Sequence, residues 1–67
     1  MNFSPKNLIK VLESKGFRLK KITSSHHIYV HPELKIRVSV PIHGNKDMPK
    51  GTFYTILKDA GISKDEI

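Results

Sequence analysis

The run Lys35-Ile36-Arg37-Val38-Ser39-Val40-Pro41-Ile42 places Ile36, Val38, Val40 and Ile42 on one side of an extended chain and Lys35, Arg37 and Ser39 on the other. Successive side chains of a strand point to opposite faces, so this period of two predicts a strand with one buried and one wet face. Sheets wetted on one face are characteristically antiparallel. Two further strand-like runs precede it. Phe17 to Thr23 alternates Phe17 and Leu19 against Arg18 and Lys20, and His26 to His31 carries the strand formers Ile28, Tyr29 and Val30. Thr23-Ser24-Ser25 and Pro32-Glu33-Leu34 are short enough for hairpins, which predicts an antiparallel meander.

Outside these runs the period changes to that of a helix. Ser4 can cap, and Pro5 suits the first helical position, where its missing N–H costs nothing. Leu8, Val11 and Leu12 recur at helical spacing, with Ile9 widening the stripe, and Gly16 supplies a left-handed stop. The first helix is predicted over Pro5 to Lys15. After a polar loop from His43 to Met48, a second helix begins near Pro49 to Thr52 and turns Phe53, Ile56, Leu57 and Ala60 to one face. Gly61 ends it, Ile62 can fold back onto Leu57, and Ser63 to Ile67 reads as a frayed or half-turn end. The order α-β-β-β-α predicts an α+β fold, a three-stranded antiparallel sheet with two helices on one face. That is the layout of a double-stranded-RNA-binding domain, and layout alone does not give function.

The 67 residues, 37% hydrophobic and 27% charged, form a single domain over 1–67. A chain this short buries about 60% of its unfolded surface, so the fold must be simple and its stability marginal. No stretch is long and apolar enough for a membrane span. There is no basic-then-apolar leader, and the zero cysteines exclude disulfides and thiolate metal sites. A cytoplasmic location is the expectation. Lys plus Arg number 12 against 6 Asp plus Glu, for a net charge of +6. Lys15 to Lys50 contains eight of the bases and only Glu33 and Asp47 as acids, so the entire net charge lies there. Such concentration suggests a polyanionic partner, nucleic acid being the commonest; the bland alternative is a solvated basic surface.

Four histidines fall between His26 and His43. As metal ligands they are poorly spaced: His26 and His31 lie on opposite strand faces, and His27 and His31, four residues apart, are separated by about 13 Å. As catalysts they are plausible by chemistry, because imidazole exchanges protons near neutral pH and RNA carries its own nucleophile in the 2′-hydroxyl. As surface residues they need no role, and His43 would simply start a turn. Spacing alone favours the surface reading for any one of them, and composition does not separate His26 from His27.

The run Ser24-Ser25-His26-His27-Ile28-Tyr29-Val30-His31-Pro32 resembles the G-S-H-x-x-(F/Y)-x-H-P segment of the HicA-type, or YcfA-like, toxins. Val38-Ser39-Val40-Pro41-Ile42-His43-Gly44 is similar to that family's V-T-V-P-x-H-G. Pro49-Lys50-Gly51-Thr52 followed by Ile56-Leu57-Lys58-Asp59-Ala60-Gly61-Ile62 is similar to its P-K-G-T and I-L-x-x-A-G-(I/L) blocks. Together they cover nearly the whole chain in order. The chain departs from the pattern at Ser24, where the family has Gly, a residue that permits positive φ or close approach of a phosphate.

The resemblance implies the toxin of a type II toxin–antitoxin system: a metal-independent mRNA endoribonuclease that acts without the ribosome, needs no cofactor, and is neutralised by a HicB-type antitoxin protein. It maps the catalytic residue onto His26. Around it, Ser25 is expected to orient the imidazole or touch the phosphate, with a plain turn role as the alternative. Lys46, Lys50 and Gly51 are expected to seat a phosphate at the start of the second helix, where the first amides lack partners; the alternative is a helix-start Gly beside a solvated Lys. Lys20, Lys21 and Arg37 would widen the electrostatic footprint. Tyr29 could stack on a base, though core packing suits a mid-strand Tyr better. Two other functional classes stay open: a non-catalytic RNA-binding module of the same fold, and an antitoxin-pairing protein whose nuclease has decayed.

Overall fold

The structure, a computed structural model, describes residues 3–44 and 46–66. Asn45 of the polar loop and Ile67 at the chain end lie outside them. Helix α1 (Pro5–Ser14) is followed by strands β1 (Arg18–Thr23), β2 (His26–His31) and β3 (Ile36–Pro41), then helix α2 (Lys50–Asp59) and a 3₁₀ turn at Lys64–Glu66. The sheet is an antiparallel meander in the order β1-β2-β3. The expected α+β order and architecture therefore hold. Predicted ends differ by a residue or so, as fraying ends do.

Each helix begins and ends for reasons legible in its residues. The Ser4 hydroxyl accepts from the Asn7 N–H at 3.1 Å, capping α1 with Pro5 behind it. Both helices finish in a Schellman turn. Gly16 (φ +94°) and Gly61 (φ +76°) sit in the left-handed region, and the Phe17 and Ile62 amides reach back to the carbonyls of Leu12 and Leu57 at 3.0 and 2.9 Å. The turn after α1 throws Phe17 into the core, and the turn after α2 does the same for Ile62.

The core lies between the helices and one face of the sheet. Leu8 and Leu12 of α1, Phe53, Ile56 and Leu57 of α2, Tyr29 of β2 and Val38 and Val40 of β3 close on one another. Tyr29 thus points inward and is 3% exposed. Burial, and secondarily the charge of Glu13, pushes its phenol above the ordinary tyrosine value. The base-stacking role considered for Tyr29 is excluded, because its ring is enclosed by the core.

Strand β1 departs from simple alternation. A bulge at Lys20 interrupts the register between Leu19, opposite Tyr29, and Lys21, opposite Ile28. Leu19 and Ile22 consequently share the helix-side face. All six residues of β1 are exposed, Leu19 by 47% and Ile22 by 56%, and the main helix–sheet packing falls on β3 at the opposite edge. Among the described residues no helix packs on the second sheet face, and the molecule is a plate of 31 × 30 × 16 Å.

Candidate active site

The β1–β2 hairpin turns on two residues, Ser24 and Ser25, between the paired Thr23 and His26. Ser24 has φ +52°, the conformation that a left-handed turn position demands. The residue at the family's glycine position therefore adopts the backbone that favours glycine, at a cost of about 1–2 kcal/mol for an L side chain. The Ser25 carbonyl accepts from the Ile42 N–H at 2.7 Å, which extends the β2–β3 ladder past the strand ends and fixes the turn.

His26 opens β2 immediately after this turn. Its cross-strand neighbours are Thr23 and Pro41, which puts it on the open face, and it is exposed. Among the described residues its ring makes no hydrogen bond or ion pair. His27, next along the strand, faces the other way, paired with Ile22 and Val40. Its Nδ1 is shut away from solvent with no hydrogen-bond partner among the described residues, in a groove formed with Ser4, Pro5, Lys6, Ile42 and Gly44.

The two remaining histidines serve the fold. His31 Nδ1 accepts from the Leu34 N–H at 3.1 Å and its carbonyl from the Lys35 N–H at 2.8 Å, so side chain and backbone together build the β2–β3 turn. Its ring stands edge-on to Phe17 at 5.2 Å, and a Cβ on Gly16 would come within 2.9 Å of its Nε2. The His43 carbonyl accepts from the Lys46 N–H at 3.2 Å, the turn start expected of it. His43 and Lys46 line a groove with Pro5, Pro41, Pro49 and Thr52, and this groove gathers the starts of both helices at the sheet end where His26 lies.

The expected phosphate seat is at that same end. Pro49 caps α2 with no side-chain hydrogen bond, so no cap side chain takes up the first amides of the helix. Lys50 is exposed. Gly51 is not held by φ, and a Cβ there would meet nothing within 4 Å, so the fold gives no reason for a glycine. Among the described residues no hydrogen bond joins His26 to Ser25, Lys46 or Lys50; Pro41 links two of them, pairing with His26 and lining the groove of Lys46.

Thr23, Lys21 and Arg18 flank β2 on one side and Pro41, Ser39 and Arg37 on the other, all on the His26 face. Alternation against Phe17 and Leu19 already points Arg18 to this face, whereas Lys21 and Thr23 reach it only because of the bulge at Lys20, which simple alternation does not reveal. Among the described residues no three His, Cys, Asp or Glu come together as metal ligands, and no helix is long and apolar enough to cross a membrane.

The family model for the HicA toxin of bacterial toxin–antitoxin systems matches residues 5–62. That span runs from the first residue of α1 through the Schellman turn after α2 and includes every candidate site residue named above. No curated protein matches the chain.

Proposed function

The chain belongs to the HicA toxin family, and on that premise we propose that it is a metal-independent endoribonuclease acting on mRNA, with His26 as its catalytic residue and a HicB-type antitoxin as its inhibitor. The observation that carries the assignment is the exposure of His26 on a sheet face free of helices and carboxylates, while His27 and His31 are engaged with the helix-side packing and the β2–β3 turn. An approaching phosphodiester can reach the His26 ring without any rearrangement of the core.

The proposed reaction is transesterification. The imidazole takes the proton of the ribose 2′-hydroxyl, the 2′-oxygen forms its bond to phosphorus, and the bond to the 5′-oxygen breaks. The departing oxygen is protonated by water or by the imidazolium. The products are a 2′,3′-cyclic phosphate and a 5′-hydroxyl end. General acid–base assistance of this kind contributes about 10²–10⁴-fold, which suits a modest nuclease. Lys46, Lys50 and the unclaimed amides at the start of α2 offer charge and donors to a phosphate, and the open space over Gly51 allows a strand close to the backbone. Ser25, one residue before His26, would contact the phosphate through its hydroxyl, since its carbonyl accepts from the Ile42 N–H.

The test is expression of His26→Ala beside the wild type, with antitoxin binding as the fold control. Growth arrest is expected to disappear while binding persists; equal toxicity removes the assignment. RNA cleavage by the wild type is expected to continue in EDTA and to leave cyclic-phosphate ends. RNA binding without such ends would make the protein a non-catalytic module.

A further inference from the structure

The strand register orders the open face of the sheet into three rows. Thr23, His26 and Pro41 form the first, Lys21, Ile28 and Ser39 the second, and Arg18, Val30 and Arg37 the third. These nine described residues include three fixed cations, Arg18, Lys21 and Arg37, and no carboxylate. Ile28 and Val30 make an apolar floor along its middle; Ile28 is only 7% exposed although no helix lies above it, so its cover comes from neighbours on the face. Lys21, Arg18 and Arg37 are exposed, and among the described residues none of them makes a hydrogen bond or ion pair. Like charges gathered on one face without counter-charges are unfavourable in the isolated protein and favour an anionic occupant.

We propose that this face is a track for the backbone of a single-stranded RNA, on which Arg18 and Arg37 clamp a phosphate displaced from the one His26 attacks. The inference rests on the RNA-cleaving reading above. Four residues separate His26 from Val30 along β2, about 13 Å, the reach of a nucleotide or two in an extended strand. The two arginines stand on either side of Val30 on the outer strands, about 10 Å apart at the backbone, close enough for their long side chains to converge on one phosphate. Guanidinium is suited to that task because its donors match phosphate oxygens in pairs. Apart from the His26 imidazole, the strand residues of this face include no aromatic ring and no Asn or Gln, so the face holds backbone and does not read bases.

A protein partner fits this face less well. Protein interfaces anchor on large apolar side chains in their centre, and the exposed large hydrophobics of the molecule, Leu19, Ile22 and Leu34, lie on the helix-side face of β1 and in the β2–β3 turn.

The test compares the wild type with Arg18→Ala/Arg37→Ala and with Arg18→Lys/Arg37→Lys. Binding of a fluorescent mixed-sequence single-stranded RNA, made uncleavable by 2′-O-methyl groups, is read by anisotropy across a salt series, and cleavage of the unmodified RNA is read in parallel. The alanine pair is expected to weaken binding at least about tenfold at low salt and to reduce the salt slope by about two. It should also lose cleavage of the long RNA while retaining cleavage of a dinucleotide, which has no displaced phosphate. The lysine pair, which keeps the charge but not the paired donors, is expected to restore the salt slope and only part of the affinity, and it serves as the control for folding. Unchanged affinity and slope in the alanine pair overturn the track, whether or not the protein cleaves. A steep, arginine-dependent slope in a protein that never cleaves RNA keeps the track and removes the nuclease instead. Arginine dependence seen only with an acidic polypeptide, and not with RNA, overturns the proposal in favour of a protein-docking face.

Discussion

At the scale of single residues, the backbone of Ser24 and the ring of His31 show opposite relations between sequence and structure. Ser24 occupies φ +52° with a side chain that disfavours it. Ser24→Gly is therefore expected to raise stability by about 1 kcal/mol, read as a higher melting temperature; a lower melting temperature would show that the Ser24 side chain contributes more than its backbone strain costs. His31 does the reverse and supports its turn. His31→Ala removes the acceptor of the Leu34 N–H and the edge contact to Phe17, for an expected loss of about 1–3 kcal/mol with RNA cleavage per folded molecule unchanged. A selective loss of cleavage at full stability would make His31 part of the chemistry. The roles of these histidines were not separable from spacing. His26 and His27 differ by one position in a strand, and only the pairing to Val38 and Val40 settles which of the two faces the helices.

At the scale of elements, the helices and β3 were readable because their apolar positions follow one period from end to end and their caps and stops are chemically distinctive. Strand β1 was not, because a bulge adds a residue and puts Leu19 and Ile22 on one face, at an edge that no helix covers. Leu19→Ser and Ile22→Thr should accordingly change stability by no more than about 0.5 kcal/mol, as ordinary surface substitutions do, when measured by denaturant melts. A loss of 2 kcal/mol or more would mean that something in solution covers this edge. The chain end also carried an unread signal. Ser63 and Glu66 form a capping box, with the Ser63 N–H donating to the Glu66 carboxylate and the Asp65 N–H donating to the Ser63 hydroxyl at 3.2 Å. Lys15 at the end of α1 pairs with the same carboxylate at 3.2 Å. The Ser63 amide first, and then Lys15, hold Glu66 below the ordinary glutamate value. Because the folded value is the lower one, this contribution is present above the unfolded value and is lost as pH falls through the folded one. NMR titration should find the Glu66 carboxyl ionising below a free glutamate and moving up in Lys15→Ala.

At the scale of the whole molecule, a thin plate with one covered and one bare face joins stability to function. A single small core must hold the sheet flat enough to present His26, and Phe53 is its largest fully buried side chain, in edge contact with Phe3 at 5.2 Å. Phe53→Ala is expected to cost about 3–5 kcal/mol, comparable with the entire stability of so small a domain, and should leave the protein largely unfolded in circular dichroism. The chemistry of the bare face is tested most directly by cleavage of a single-stranded RNA by purified wild type and His26→Ala, with product ends identified and melting curves compared. Cyclic-phosphate ends are expected from the wild type, with a rate lower by about 10²-fold or more in the variant at equal stability. Cleavage by His26→Ala at the wild-type rate would contradict the catalytic role of His26.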